Sequence, residues 1–372
     1  MPTAAAALFR QLAVFAAFIA STTALGACAS TPEPSEDSCD SEESCAAVDK
    51  LSAADVPFTL KAIKKAKYPI ILHHGFNAST TNSWSFYKVK EALEKDGQFV
   101  VLTEVQPLAS VETRAKKLAP QIDAAIAQFC AARQPGVASC AAGTKVNIVA
   151  HSMGGLDSRY LISTLGYGAK VASLTTLSTP HGGTALADVM LDIIPDDAKV
   201  WKSKALSAAA TWYGGQITTE ELAQNPDFHG ALSSLAIKNM PAFDKANPDD
   251  SRVLYQSWAG VSRAVGGPRT AASQAELLRV CEGKHYGSAA RADFMIADLI
   301  GPSQVVGHFG SEFQDGMTTV ASAKHGIFLG CYPADHMQEV GQKHKEQPDA
   351  YTGFDHLVFF RQLATELAAR GL

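Results

Sequence analysis

The stretch from Lys145 to Leu156, KVNIVAHSMGGL, constrains this chain more than any other. Val146 to Ala150 is an apolar run with the length of a buried strand, and LDSRYLIS from Leu156 starts with the spacing of a helix. Between them His151-Ser152-Met153-Gly154-Gly155 has to turn the chain sharply. The pattern G-x-S-x-G is matched except at its first position, where Ala150 stands. Small residues on both sides of the serine let strand and helix pass closely and let the serine take up a strained backbone. That strain lifts the hydroxyl clear of the chain, and a helix start brings N–H groups beside it. A plain glycine-rich turn needs neither the strand before it nor the helix after it. Ser152 is therefore the candidate nucleophile.

The rest of the chain repeats the same alternation. Tyr68 to His73 reads as the first core strand, Phe99 to Leu102 as the second and Ala172 to Leu177 as the fourth, with the Ser152 strand third. Trp84 to Leu93 and Thr113 to Phe129 carry apolar residues at helical spacing, Leu118, Ile122, Ala125, Ile126 and Phe129 in the second. Short apolar strands alternating with helices imply an α/β chain whose mostly parallel sheet is covered on both faces. Residues 185–248 break the pattern: they mix apolar and small residues with few strand-like runs, and Val253 to Val261 restores strand character. They read as a helical lid or cap inserted into the domain.

At 372 residues and 47% hydrophobic, the chain has ample material for one large core. A net charge of -5 with no basic cluster gives no footprint for nucleic acid. Arg10 followed by QLAVFAAFIASTTALG reads as an export signal, too short for a spanning helix. It ends in Leu25-Gly26-Ala27-Cys28, which resembles a bacterial lipoprotein processing site, so lipidation of Cys28 and membrane attachment are expected. Ala29 beside that cysteine resembles an outer-membrane sorting signal; release into the periplasm or medium is the alternative. The expected organisation is a signal with its cysteine over 1–28, an acidic tether over 29–55 and a catalytic domain over 56–372. With Cys28 used, six cysteines remain; short loops suggest Cys39–Cys45 and Cys130–Cys140, which leaves Cys281–Cys331 by elimination.

A serine hydroxyl needs a base and a group that orients the base. His73, His74, His151 and His181 stand near strand ends and are expected to support the site. Among later histidines, His356 opens a final apolar helix after the loop EQPDAYTG and is the leading base, with His336 and His344 as rivals. Asp315 in the tight turn Gln314-Asp315-Gly316-Met317 is the leading acid, with Asp335 and Asp355 as rivals.

These motifs together resemble the true lipases of Pseudomonas and Burkholderia, secreted α/β-hydrolases. YPIILHHGF resembles their strand and oxyanion loop, AHSMGG their nucleophile elbow, STPHGGT the segment after the next strand, QDGMTTV their acid loop and Asp355-His-Leu their histidine loop. The resemblance runs from about Lys67 to Leu372. It implies a triad of Ser152, Asp315 and His356, with the backbone N–H groups of Phe76 and Met153 as the oxyanion hole. In that family two aspartates, backbone carbonyls and a nearby glutamine hold a structural calcium. Asp293 and Gln362 fall at the matching spacings, but Val358 stands where the second aspartate is expected, so no metal is expected. The family's cysteine after the acid is Ala321 here, and a foldase partner is not implied.

The implied reaction is hydrolysis of an apolar carboxylic ester, as in a triacylglycerol lipase or esterase, without a cofactor. Cleavage of a polyester such as a polyhydroxyalkanoate is the alternative within hydrolases. A surface lipoprotein that only binds is the alternative outside them.

Overall fold

A computed structural model describes residues 63–78, 85–133, 143–193, 227–263, 271–284, 286, 293–307, 312–342, 348–349 and 352–372. All of them belong to one unit, Val48–Leu372. Cys28, the acidic tether, Cys39, Cys45, Cys140, His344 and the middle of the expected cap lie outside the described residues.

Six strands form the central sheet: β1 (Ile70–His73), β2 (Val100–Thr103), β3 (Val146–His151), β4 (Val171–Leu177), β5 (Leu254–Gly260) and β8 (Ile327–Tyr332). Their order is β2-β1-β3-β4-β5-β8, and every pairing is parallel. Two short strands, β6 (Ser262–Arg263) and β7 (Asp293–Phe294), pair separately. β1, β3 and β4 are buried along their whole length, as strands covered on both faces should be. Their side chains alternate between two cores. Ile71, Ile148 and Leu174 meet Leu118, Ile122 and Leu161 on one face, whereas Leu72, Val149 and Leu177 meet Trp258, Phe359 and Phe360 on the other.

The first face is covered by α2 (Val111–Arg133) and α3 (Gly154–Ser163), the second by α1 (Val89–Lys95) and α10 (His356–Ala369). Leu118, Ile122, Ala125 and Phe129 of α2 are buried at helical spacing, as the sequence requires. Ser110 caps this helix by accepting from Thr113 N–H and is itself held by Asp227 at 2.6 Å. Between β4 and β5 the chain is helical where described: α4 (Ala185–Ile193), α5 (Phe228–Leu235) and α6 (Met240–Ala246). Among the described residues the remaining α-helices are α7 (Ala271–Val280), α8 (Ala297–Val306) and the single turn α9 (Val320–Ala323).

β8 was not anticipated. Its run, IFLGCY, has strand-favouring Ile327, Phe328 and Tyr332 but is interrupted by Gly330, where the register with β5 shifts. Cys281 and Cys331 are bonded, tying the end of α7 to β8 across 50 residues. Closing a loop of that size removes about 4 kcal/mol of unfolded-state entropy. Cys130 is also disulfide-bonded, while its expected partner Cys140 is outside the described residues.

Because every strand is parallel, all their carboxyl ends lie along one edge. A third apolar cluster sits there: Phe76 and Met153 pack with Leu186, Met190, Phe228, Leu232, Met295, Leu299 and Met317. The helical insertion and α8 thus form an apolar wall around the end of β3.

Candidate active site

β3 ends at His151 and α3 starts at Gly154, so the turn between them holds Ser152. Its φ of 54° is in the left-handed region, where a non-glycine residue persists only if its surroundings enforce it. The surroundings do so: Ser152 N–H donates to the Leu177 carbonyl at 2.9 Å, and Thr179 Oγ1 donates to the Ser152 carbonyl at 2.7 Å. The loop after β1 presses against the same turn. A Cβ on Gly75 would lie 2.6 Å from Ser152 Cβ and 3.2 Å from its Oγ, so only glycine allows this approach.

A buried guanidinium fixes that loop. Arg114 on α2 is fully buried and donates through Nη2 to the carbonyls of His74 (2.8 Å) and Gly75 (3.1 Å). Its Nη1 donates to Gln106 O at 2.9 Å, and its Nε to Asp157 Oδ2 at 2.8 Å. His73 Nε2 is 3.0 Å from the same Asp157 oxygen, and its Nδ1 is 2.7 Å from Thr103 Oγ1. Burial lowers the His73 pKa despite Asp157, so the ring is neutral and donates through Nε2. The planar, trans peptide has consequences here. With the Gly75 carbonyl turned to Arg114, the N–H of the same peptide, that of Phe76, points the opposite way. Met153 precedes the first residue of α3, so its N–H lies at the positive end of that helix.

Two other loops bring Asp315 and His336 together. Asp315 is fully buried; its Oδ1 accepts from Met317 N–H (2.8 Å) and Thr318 N–H (2.7 Å). Its Oδ2 accepts from His336 Nδ1 at 2.7 Å, and His336 N–H donates back to the Asp315 carbonyl at 2.9 Å. Burial acts to raise the Asp315 carboxyl, but the His336 charge and these hydrogen bonds outweigh it and hold it below its ordinary value. The His336 ring lies 4.5 Å, centroid to centroid, from that of His151, the residue next to Ser152.

The expected pairing of Asp315 with His356 is not formed. His356 is the first residue of α10, and its Nε2 lies 2.9 Å from the Tyr87 carbonyl. Asp355 serves as the cap of α10, accepting from Leu357 and Val358 N–H. Helix capping explains the Asp355-His356 pair, and the histidine secures the helix start to the chain before α1. Burial lowers its pKa.

Glu339 was not anticipated as part of this site. It is buried and accepts from Ser178 Oγ at 2.6 Å. Its Oε2 is 3.3 Å from His151 Nε2. Burial, and then the Asp315 charge, push its carboxyl well up, so it stays protonated beside Asp315. His151 is held well below its ordinary value by burial and by His336. His151, His336 and Glu339 bring ligand atoms within 4.8 Å of one another, but His336 and Glu339 are already engaged by Asp315 and Ser178. No sequence signal marks Arg114, Asp157 or Glu339, because each acts on a residue distant along the chain.

The calcium set of the resemblance does not fit. Two positions after His336 stands Gln338, whose Oε1 is already taken by Asp335 N–H at 2.8 Å, and a carboxamide supplies no charge for a hard cation. Gln342, six positions after His336, donates to the Ser85 carbonyl.

The family model for palmitoyl protein thioesterases matches residues 69–228, which hold the β1 loop and the Ser152 turn but neither Asp315 nor His336. Triacylglycerol lipase 2 of Saccharomyces cerevisiae is 37% identical over 106 residues, 28% of this chain and 30% of that protein. The triacylglycerol lipase of Burkholderia plantarii is 27% identical over 203 residues, 53% of each chain. That of Vibrio cholerae is 24% identical over 320 residues, covering 83% of this chain and 90% of its own. The first two matches thus span about a third and about half of those relatives. Among solved structures, the mature Bacillus licheniformis lipase BlEst2 is similar with a TM-score of 0.51 at 20% identity, over 82% of this chain and 96% of that one. The metagenomic carboxyl esterase MGS0156 gives 0.55 at 15% identity, over 83% and 77%. The fold is that of an α/β-hydrolase. Its sheet order and helical insertion agree with the expected class, and the α/β-hydrolase places Ser152 at the carboxyl edge of the sheet.

Arg114→Met leaves Asp157 as an uncompensated buried charge, and should cost about 3–5 kcal/mol. In urea unfolding, adding Asp157→Asn to that variant should recover part of the loss, since the amide oxygen still accepts from His73. Equal losses in the single and double variants would show that the ion pair is not what the structure needs.

Proposed function

We propose that the protein hydrolyses carboxylic esters with an apolar acyl part, with Ser152 as nucleophile, His336 as base and Asp315 as its orienting acid. The 2.7 Å bond between Asp315 Oδ2 and His336 Nδ1, beside the strained Ser152 turn, carries this reading. It replaces the sequence expectation of His356 as base. His336 Nε2 takes the Ser152 proton as Oγ attacks the carbonyl carbon. The oxyanion is held by the N–H groups of Phe76 and Met153, each donor contributing about 3–4 kcal/mol. His336 returns the proton to the departing alcohol, and a water activated by the same ring then frees the acid from Ser152. Asp315 keeps the proton on Nδ1 and stabilises the imidazolium. Ser152→Ala and His336→Ala should each lower kcat by at least about 10⁴-fold with the fold retained, whereas folded His356→Ala should stay within about tenfold of the parent. A fluorophosphonate probe should label the parent at Ser152. Inactive His356→Ala with active His336→Ala would reverse the assignment.

The apolar wall supports the substrate class. Leu186, Met190, Phe228 and Leu232 pack with Phe76 and Met153, the residues of the oxyanion donors. Similarity to triacylglycerol lipases and the opening-strand, elbow and acid-loop motifs favour a lipase akin to the Pseudomonas and Burkholderia enzymes. Each buried methylene adds about 0.8 kcal/mol, so chain length decides preference. With p-nitrophenyl esters, kcat/KM should rise from acetate to medium chains, with emulsified triglyceride also cleaved. A steady fall from acetate upward would leave only a short-chain esterase.

We further propose export and attachment to a bacterial membrane through lipidated Cys28, supported by the LGAC sequence at the end of the apolar run. Mass spectrometry of the mature N-terminus should find diacylated Cys28; an unmodified chain starting beyond it would refute attachment.

A further inference from the structure

The turn that carries His336 is held by a carboxylate the reaction does not use. Asp335 is fully buried, and its Oδ1 accepts from Met337 N–H and Gln338 N–H, both at 2.9 Å. Its Oδ2 accepts from Ile296 N–H at 2.9 Å, across to the cap residue just before α8. Its own N–H is fixed by Gln338 Oε1. Met295 belongs to the apolar cluster that contains Met153, Met317 and Met337, and Ile296 packs against it. One carboxylate therefore joins the base turn to the wall beside the nucleophile. Burial pushes the Asp335 carboxyl up to about 6, with the three N–H groups opposing, so it is ionised at neutral pH and accepts only. The negative charge also suits the positive end of α8, a helix of 10 residues.

We infer that Asp335 is a positioning residue for His336, holding the base turn to the head of α8 so that the ring meets both Asp315 and Ser152. This rests on His336 being the base. Through Oδ2, Asp335 locks the histidine turn to the segment after β7. The bland alternative is a turn cap that only stabilises the fold, and the two Asp335 oxygens separate these roles. Oδ1 organises the turn itself, whereas Oδ2 alone reaches α8.

Asp335→Asn tests the second oxygen. An amide oxygen can still accept from Met337 and Gln338, but its NH₂ then confronts Ile296 N–H, donor against donor. Ile296→Pro removes the same bond from the other side, and φ at 296 is -61°, which proline accepts. With a soluble p-nitrophenyl ester, Asp335→Asn should lower kcat about 10- to 100-fold with KM little changed, as expected for a displaced base. Fluorophosphonate labelling of Ser152 should slow in parallel, and the downfield proton shared by His336 Nδ1 and Asp315 should shift in NMR. Ile296→Pro should repeat the kcat loss and the NMR shift. If folded Asp335→Asn and Ile296→Pro keep kcat within about twofold, or lose activity only in proportion to unfolded protein, the inference is overturned. If one variant fails to fold, the other decides. Active His336→Ala would instead remove the underlying assignment of the base; inactive His336→Ala with parent-like Asp335→Asn would remove only the role of Asp335.

Discussion

A single buried guanidinium holds together the two pieces of backbone on which the site depends. Arg114 joins the carbonyls of His74 and Gly75 to Asp157, three residues beyond the first residue of α3. The loop after β1 would otherwise expose carbonyl groups to an apolar interior, where an unsatisfied polar group costs several kcal/mol. Because Arg114 is wholly enclosed, its charge has to be met, and Asp157 meets it from the helix that starts at the nucleophile turn. The same contact turns the Gly75–Phe76 peptide so that the Phe76 N–H points away from Arg114. Stability of the loop and aim of the Phe76 N–H are one interaction.

Around this anchor the polar groups are layered by charge state. Asp315 is an anion supported by two N–H groups and His336, while Glu339 beside it is kept neutral by burial. Two adjacent buried carboxylates would repel if both were ionised, and the protonated one can instead donate a hydrogen bond. His73, His74, His151 and His181 all have lowered pKa values, burial being the largest cause in each case. Their neutrality lets a histidine-rich strand edge be packed without accumulating positive charge next to the nucleophile.

Most of the sheet could be read from the chain because its information is local. The period-two alternation of Ile71 and Leu72, or Ile148 and Val149, assigns one side chain to each core before any pairing is known. The turn at Ser152 was equally legible from the small residues beside it, although Leu177, Thr179 and Gly75 from other segments enforce its strain. β8 was not read, because Gly330 breaks the regular alternation of IFLGCY at the point where its register with β5 shifts. Arg114 and Glu339 were not, because the groups they serve are brought near only by folding.

The choice of base shows where that boundary falls. By itself the sequence determined the alternation of strands and helices through β5, and it offered Ser152 in its turn and Asp315 in its tight loop, with Asp335 and Asp355 as rivals. It offered both His336 and His356 downstream of the acid. Chain length hardly separates them, since doubling a loop changes its closure entropy by only about 0.6 kcal/mol. In the tertiary structure the turn after β8 lies against the Asp315 loop, where His336 makes a 2.7 Å bond, while His356 seats α10 against the Tyr87 carbonyl, and this difference in partners carries the proposal of His336 as base. Periodicity and turn chemistry are properties of neighbours along the chain. Which buried donor meets which buried acceptor depends on the packing of elements that the chain leaves far apart.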